Sequence, residues 1–226
     1  MNGPSRGLKI AICLALAIVL PAAQTPPTAH SRDERRVIDK ECRDVLPVQA
    51  KIRACLSLLS DRRLSTAYLA PINGEISSTF QSLRDYDNAI KYKKIEIERA
   101  NTAVEQPSRS SEALPASLGA MSLRYMQLGT LQSLNRLTNF ANQSDEARRG
   151  ATEERNNYNL ALSYNPMNYR AYRYRAEIRS LFCESASAAL DIEAAVRFAE
   201  QAGDQDAARD YKRVTLSPCI PAWRRD

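Results

Sequence analysis

The segment from Asn157 to Asp204 constrains the fold of this chain more than any other part of the sequence. Its first part carries an aromatic residue and an alanine three positions apart, Tyr158 and Ala161, and stops at the Asn-Pro step before Pro166. Proline cannot continue a helix from its interior, and it biases the preceding residue away from the helical region. This part therefore predicts an apolar helix that ends close to Pro166.

The second part of the same segment predicts two further helices that pack on each other. Tyr172 and Ala176 share one face of the first helix, and small or branched side chains recur on the second at Ala188, Ile192 and Ala195. Small residues at helical spacing let two antiparallel helices approach closely, and the bulkier residues beside them can contact a neighbouring pair. The segment therefore predicts a helix that leads into a closely packed helix pair.

The spacing of small residues occurs a second time, earlier in the chain. Ser77 and Ala89 stand 12 residues apart, as do Ala176 and Ala188. This pattern resembles the tetratricopeptide repeat, a helix-turn-helix unit of ~34 residues. The resemblance implies an all-α fold, an α-solenoid of antiparallel helix pairs with these repeat positions: Leu69, Ser77, Tyr86, Ala89, Tyr158, Ala161, Pro166, Tyr172, Ala176, Ala188, Ile192 and Ala195.

The organisation of the chain follows from its breaks in helical pattern. A stretch with serines and two prolines, Pro107 and Pro115, predicts a linker. A solenoid also needs a terminal helix to cover its last apolar face. We expect a tetratricopeptide-like domain over 37–226, with helix pairs at about 48–104, 116–165 and 167–203, a capping helix at 204–214 and a tail at 215–226.

The segment from Cys42 to Ala89 also resembles the opening of small exported tetratricopeptide proteins of alphaproteobacteria. The matching residues are Cys42, Ile52-Arg-Ala-Cys55, Leu69-Ala70 and Asp85-Tyr-Asp-Asn-Ala-Ile90. The resemblance implies a helical stack that serves protein contacts. The chain departs from this pattern at Ile76-Ser77, where the family usually has Arg-Gly, and at two charged residues in expected apolar positions, Lys93 and Glu96.

The N-terminal segment 1–23 has the pattern of a secretory signal peptide. Arg6 and Lys9 precede an uninterrupted apolar run, Ile10–Leu20, and small residues follow at Ala22 and Ala23. The run is short for a transmembrane helix, which needs ~20 residues, although an uncleaved membrane anchor is the alternative. We therefore expect an exported protein, periplasmic or extracellular, without stable membrane insertion after cleavage. Residues 24–36 are poor in apolar side chains and predict a flexible lead-in.

Export changes the interpretation of the cysteines. Removal of the signal leaves four, and an even number in an exported chain favours disulfides. Sequence allows three connectivities, of which we favour Cys42–Cys55, on either side of Pro47, and Cys183–Cys219, which would tie the tail to the last repeat. A metal or thiolate site is the alternative, but the chain lacks the closely spaced cysteine pairs or histidines typical of such sites.

The sequence offers little for catalysis or for cofactor binding. The single histidine, His30, falls in the predicted lead-in, and no glycines cluster as in a phosphate-binding loop. The net charge of +6 is mild, and acids close to the basic residues disfavour nucleic acid as a partner. We therefore expect no catalytic residue, no cofactor and no metal.

One cluster of aromatic and basic residues, Tyr169 to Glu177, is the candidate site. Arg170 and Arg173 could bind a carboxylate of a protein or peptide partner from the inner helix of a pair, with Glu177 beside them. Alternatively, Arg173 and Glu177 form an ordinary exposed i,i+4 ion pair. Arg175 is expected to hold two helices together by pairing with Asp191.

The sequence therefore predicts a non-enzymatic interaction module of the bacterial envelope. A small periplasmic enzyme or an envelope-glycan-binding factor is the alternative. An enzyme should present a deep closed pocket, whereas a scaffold should present an open groove.

Overall fold

The computed structural model describes residues 30–44, 47–105, 113–139 and 144–223. These residues form nine α-helices and one short 3-10 helix, Pro221–Trp223, and no strand occurs among them. The prediction of an all-α fold is confirmed. The α-helices are α1 Arg32–Arg43, α2 Val48–Ser60, α3 Thr66–Ser82, α4 Tyr86–Glu105, α5 Ala113–Asn139, α6 Asp145–Tyr164, α7 Tyr169–Leu181, α8 Ser185–Gln201 and α9 Gln205–Lys212.

Each helix packs mainly on the helices that precede and follow it in the chain. The most extensive contacts join α3 to α4, α5 to α6 and α7 to α8, and smaller contacts join these three pairs to one another. The apolar core accordingly divides into several clusters along the chain instead of one central cluster. The described residues therefore form an all-helical fold in which adjacent helices pack in pairs.

Short polar residues begin most of the helices. The side chains of Ser65, Ser144, Asn168 and Asp204 each accept a hydrogen bond from the backbone N–H three residues later. These bonds satisfy amide groups that have no partner inside the helix. The sequence thus specifies where α3, α6, α7 and α9 start.

The helix pairs cross at small residues. Ser77 is buried in α3, and its hydroxyl donates a hydrogen bond to the backbone carbonyl of Ala89 in α4 at 2.8 Å. Ala176 and Ala188, at the same interval in α7 and α8, have no exposed surface. In the middle pair a Cβ added to Gly129 of α5 would lie only 2.6 Å from the Tyr158 ring of α6. The ring therefore fits only because that residue has no side chain.

The predicted lead-in over 24–36 is wrong in its C-terminal part. Residues 24–29 lie outside the described residues, but α1 begins at Arg32, where Ser31 and Glu34 form a reciprocal capping box. His30 is not isolated either, because its Nε2 lies 2.9 Å from the Ser57 hydroxyl of α2. A capping box and charged side chains suffice to start a helix that then buries Cys42, even though the segment has few apolar residues.

Two of the tight helix-helix turns contain a non-glycine residue in the left-handed conformation. Arg84 lies between α3 and α4 with φ 59°, and Cys183 lies between α7 and α8 with φ 63°. At each turn the following N–H bonds back to a helix carbonyl, from Asp85 to Phe80 and from Glu184 to Arg179. Glycine usually occupies this position because a Cβ makes the left-handed region unfavourable.

We predict that Arg84→Gly stabilises the protein by about 1 kcal/mol, because glycine adopts this conformation without the steric penalty of a Cβ. Arg84 is exposed, so few side-chain contacts are lost. Urea unfolding followed by circular dichroism measures the change. Arg84→Ala is the control, since alanine retains the Cβ; a gain of equal size in Arg84→Ala would contradict the explanation.

Candidate partner-binding groove

Side chains from five helices line one open groove, which we call the central groove. It lies among α3, α5, α7 and α9, with one contribution from α4, and has a volume of about 360 Å³. Helices that are far apart in sequence thus contribute to one surface, as expected if the same face of successive pairs points inward. The lining residues are Ser77, Ser78, Gln81, Lys93, Met126, Gln127, Thr130, Leu131, Arg170, Tyr174 and Tyr211.

The central groove is polar and aromatic, and its charges are basic. Lys93 and Arg170 belong to it, and no carboxylate occurs among the described residues that line it. Tyr174 is 41 % exposed and stacks on the buried ring of Tyr158 with ring centroids 5.7 Å apart. Hydroxyl, amide and cationic donors around two tyrosine rings suit a partner segment that carries hydrogen-bond acceptors or negative charge.

Lys93 is held in the wall of the central groove by a buried network. Its ammonium lies 2.6 Å from the Glu96 carboxylate and 3.0 Å from the side-chain oxygen of Gln127, and Arg124 reaches the same carboxylate at 2.9 Å. A Cβ added to Gly74 of α3 would lie 2.9 Å from that carboxylate. The two charged residues that depart from the apolar family pattern therefore compensate each other at the contact of α4 with α5.

Arg170 is an exposed member of the central groove. Its guanidinium carbon lies 5.7 Å from the centroid of the Tyr169 ring, and the Tyr169 hydroxyl donates a hydrogen bond to Asp204 at 2.8 Å. The α9 N-cap thereby fixes Tyr169, and Tyr169 restricts where Arg170 can point. Of the three candidate site residues, Arg170 is the one that lines the central groove.

Arg173 and Glu177 lie apart from Arg170 and contact each other. Their side chains form an i,i+4 ion pair at 3.2 Å. Glu177 also accepts hydrogen bonds from the hydroxyl and from the backbone N–H of Ser217, the latter at 3.3 Å. The Glu177 carboxylate therefore already binds Arg173 of α7 and Ser217 of the C-terminal tail. Arg173 and Glu177 are thus not among the residues that line the central groove.

The prediction that Arg175 joins two helices is confirmed. Its guanidinium binds both carboxylate oxygens of Asp191 in α8, at 2.9 and 2.7 Å, and donates to Asn159 of α6 at 2.8 Å. Arg179 contacts Asp191 from a second direction at 2.9 Å. Asp191 is 3 % exposed, so this bidentate pair crosses a buried contact among three helices. Its role is structural.

Both preferred disulfides are present. Cys42–Cys55 joins α1 to α2, and Cys183–Cys219 joins the turn after α7 to the tail. The two Cα atoms lie 4.8 Å apart in Cys42–Cys55 and 4.7 Å apart in Cys183–Cys219, both within the normal range for a disulfide. The competing interpretation, a metal site, finds no support among the described residues, where no group of cysteine, histidine or acidic side chains could hold an ion.

A buried acid between α5 and α6 was not predicted from the sequence. Glu154 is 2 % exposed, lies 3.4 Å from the guanidinium of Arg136 and accepts a hydrogen bond from the Tyr158 hydroxyl at 3.2 Å. Burial raises the pKa of Glu154 to about 7, although the charge of Arg136 acts in the opposite direction. Glu154 is four residues before Tyr158, but helical spacing alone does not show that it faces α5.

No family model, no curated protein and no solved structure matches this chain. Within the described residues, no helix is both long and apolar enough to span a membrane. The predicted signal segment, 1–23, lies outside those residues. Any functional conclusion therefore depends on the arrangement of the side chains described above.

Removal of the Arg175 side chain is expected to destabilise the fold. We predict that Arg175→Ala lowers the free energy of unfolding by about 3 kcal/mol, because it removes one partner of a buried carboxylate while Arg179 still compensates part of the charge. Chemical denaturation measures this loss. Arg149→Ala is the matched control, since Arg149 forms an exposed ion pair with Glu146 and should change stability by less than about 1 kcal/mol.

The pKa of Glu154 predicts a pH dependence of stability. An unfolded chain has the ordinary glutamate value of 4.5, so the folded state binds the proton more tightly between 4.5 and about 7. Glu154 therefore contributes stability that is fully present below pH 4.5 and is lost as the pH rises through about 7. Glu154→Gln should remove this slope. A slope of unchanged size in the variant, measured by urea unfolding from pH 4.5 to 8, would contradict the assignment.

Proposed function

We propose that this protein is a non-enzymatic interaction module of the bacterial envelope, built from tetratricopeptide-like helix pairs, that binds a protein or peptide partner in the central groove. One observation carries the proposal: α3, α5, α7 and α9, four helices separated in sequence, contribute to a single open polar surface. An open groove of this kind accommodates an extended chain better than a small substrate, which is normally enclosed.

The solenoid interpretation is supported by two features of the helix pairs. Consecutive helices pack in chain order, and Ser77–Ala89 and Ala176–Ala188 occupy buried positions at the same interval. The turns that follow also correspond, because Arg84 and Cys183 each lie seven residues after the first small residue of the interval and share the left-handed conformation. If the helix pairs are repeated units, they should share the spacing of small residues, the burial of those residues and the conformation of the turn, as these two pairs do.

The export proposal is supported by the signal-like segment 1–23 and by the two disulfides. Disulfides persist in oxidising compartments and are rare in reducing ones. One disulfide links the first two helices, and the other links the C-terminal tail to the turn after α7. A periplasmic or extracellular scaffold is consistent with both observations.

The partner segment that fits the central groove carries acceptor groups or negative charge. Arg170 is exposed and Tyr174 is partly exposed, so both can contact a partner without rearrangement. Lys93 is only 5 % exposed and its charge is shared with Glu96, so we assign it to the wall and not to direct contact. Charge complementarity thus centres on Arg170, with the tyrosine rings supplying apolar contact area.

Capture from envelope extracts tests the proposed function. The chain without residues 1–23 is immobilised, and bound material is analysed for proteins and for glycans separately. We expect a specific protein to be enriched and to be displaced by high salt, since the groove is basic. Enrichment of a glycan fraction without any protein would favour the alternative, an envelope-glycan-binding factor.

The captured partner then allows a test of the groove itself. We predict that Arg170→Ala weakens binding roughly tenfold and makes the remaining affinity less dependent on salt, because it removes a charge-assisted contact. Arg173→Ala is the matched control, since the same side chain is removed from the same helix at a position that contacts Glu177. Equal losses in both variants, measured by isothermal titration calorimetry, would contradict the assignment to the central groove.

A further inference from the structure

The C-terminal tail, Val214–Trp223, contacts α7 through irregular backbone that ends in the 3-10 helix Pro221–Trp223. The Ser180 hydroxyl donates a hydrogen bond to the backbone carbonyl of Ser217 at 2.6 Å. The backbone N–H of Ile220 donates to the carbonyl of Leu181 at 3.0 Å. Leu181 is the last residue of α7, and the last carbonyls of a helix have no partner within it. The tail therefore satisfies a group that the helix leaves open.

The tail carries one deeply buried anchor. Trp223 is 1 % exposed, and its ring lies 5.5 Å from that of Phe182 at the end of α7. Its indole Nε1 has no hydrogen-bond partner among the described residues, although a buried indole N–H normally finds one. Packing alone thus holds this side chain, and the missing hydrogen bond makes its burial less favourable.

Several other residues of the tail are exposed to solvent. Thr215, Pro218, Pro221 and Ala222 are exposed, and a cavity of about 470 Å³ separates the tail from α5. The disulfide between Cys219 and Cys183 supplies the covalent attachment in the middle of this segment. A segment with main-chain hydrogen bonds, one aromatic anchor and a partly open flank has the contacts of a bound peptide.

We propose that the C-terminal end of α7, from Glu177 to Cys183, is a peptide-binding site and that the chain's own tail is its resident ligand, held there by the Cys183–Cys219 disulfide. The site takes a segment with a hydroxyl side chain, a main-chain N–H and an aromatic side chain at the spacing of Ser217, Ile220 and Trp223. The proposal depends on these contacts and is independent of any partner in the central groove.

Two consequences separate a resident ligand from an integral part of the core. Without the disulfide, we expect the tail to leave its site while the helices stay folded, because its remaining attachments are four hydrogen bonds to α7 and the packing of Ile220 and Trp223. A separate peptide with the tail sequence can then occupy the vacated site in trans. Neither behaviour is expected of a segment that folds cooperatively with α7.

The full chain contains one tryptophan, so its fluorescence reports on the tail alone. In Cys183→Ser, Cys219→Ser the emission of Trp223 should shift to the red and its quenching by acrylamide should rise severalfold, with circular dichroism unchanged. Cys42→Ser, Cys55→Ser is the matched control and should keep the emission of the unmodified chain. Unshifted emission in the first variant, or loss of helical structure together with the shift, overturns the proposal.

Binding in trans is measured with a chain that lacks tryptophan. Cys183→Ser, Cys219→Ser, Trp223→Ala is titrated into a synthetic peptide of residues 213–223 that carries serine in place of Cys219. We expect a saturable blue shift of the peptide fluorescence, and about tenfold weaker binding of the same peptide with Ile220→Pro, which lacks the donating N–H. If the chain stays helical and no blue shift occurs, the proposed site does not bind peptides and the proposal fails.

Discussion

The close approach of paired helices at small residues is the constraint on which the rest of this structure depends. Ser77 and Ala89 bring α3 and α4 together, and Gly129 lets α5 accept the ring of Tyr158. Larger side chains at these points would push the helices apart and displace every neighbouring contact, because cores are packed to high density. The alignment of α3, α5, α7 and α9 around one groove follows from these crossings.

The sequence predicts correctly those features that depend on helical periodicity or on a pair of residues on adjacent helices. The all-α fold follows from helical spacing, and the pairing of Arg175 with Asp191 follows from adjacent faces of two predicted helices. Helical spacing does not show how far along a helix each residue meets its neighbours. Arg170 and Arg173 are one turn apart on α7, yet one lines the central groove and the other contacts Glu177.

Other features depend on long-range geometry that no local pattern contains. Glu154 is buried because α5 packs on α6, and its partner there, Arg136, is 18 positions away in the sequence. The start of α1 has a different cause: its residues are mostly charged, which predicts a flexible segment, but a capping box and one buried cysteine hold it against α2. In both places polar side chains stabilise structure through specific partners instead of through hydrophobicity.

The contacts between successive helices also differ in their buried polar groups. Arg124 binds Glu96 where α5 meets α4, Arg136 binds Glu154 where α5 meets α6, and Arg175 binds Asp191 where α7 meets α8. Apolar faces alone could pair out of order or slide by one turn with little loss of free energy. A buried charge without its own partner is strongly unfavourable, so each of these contacts favours one arrangement of its two helices. The ionic residues thus favour the observed pairing of the helices, while alanines and aromatic rings supply much of the packing.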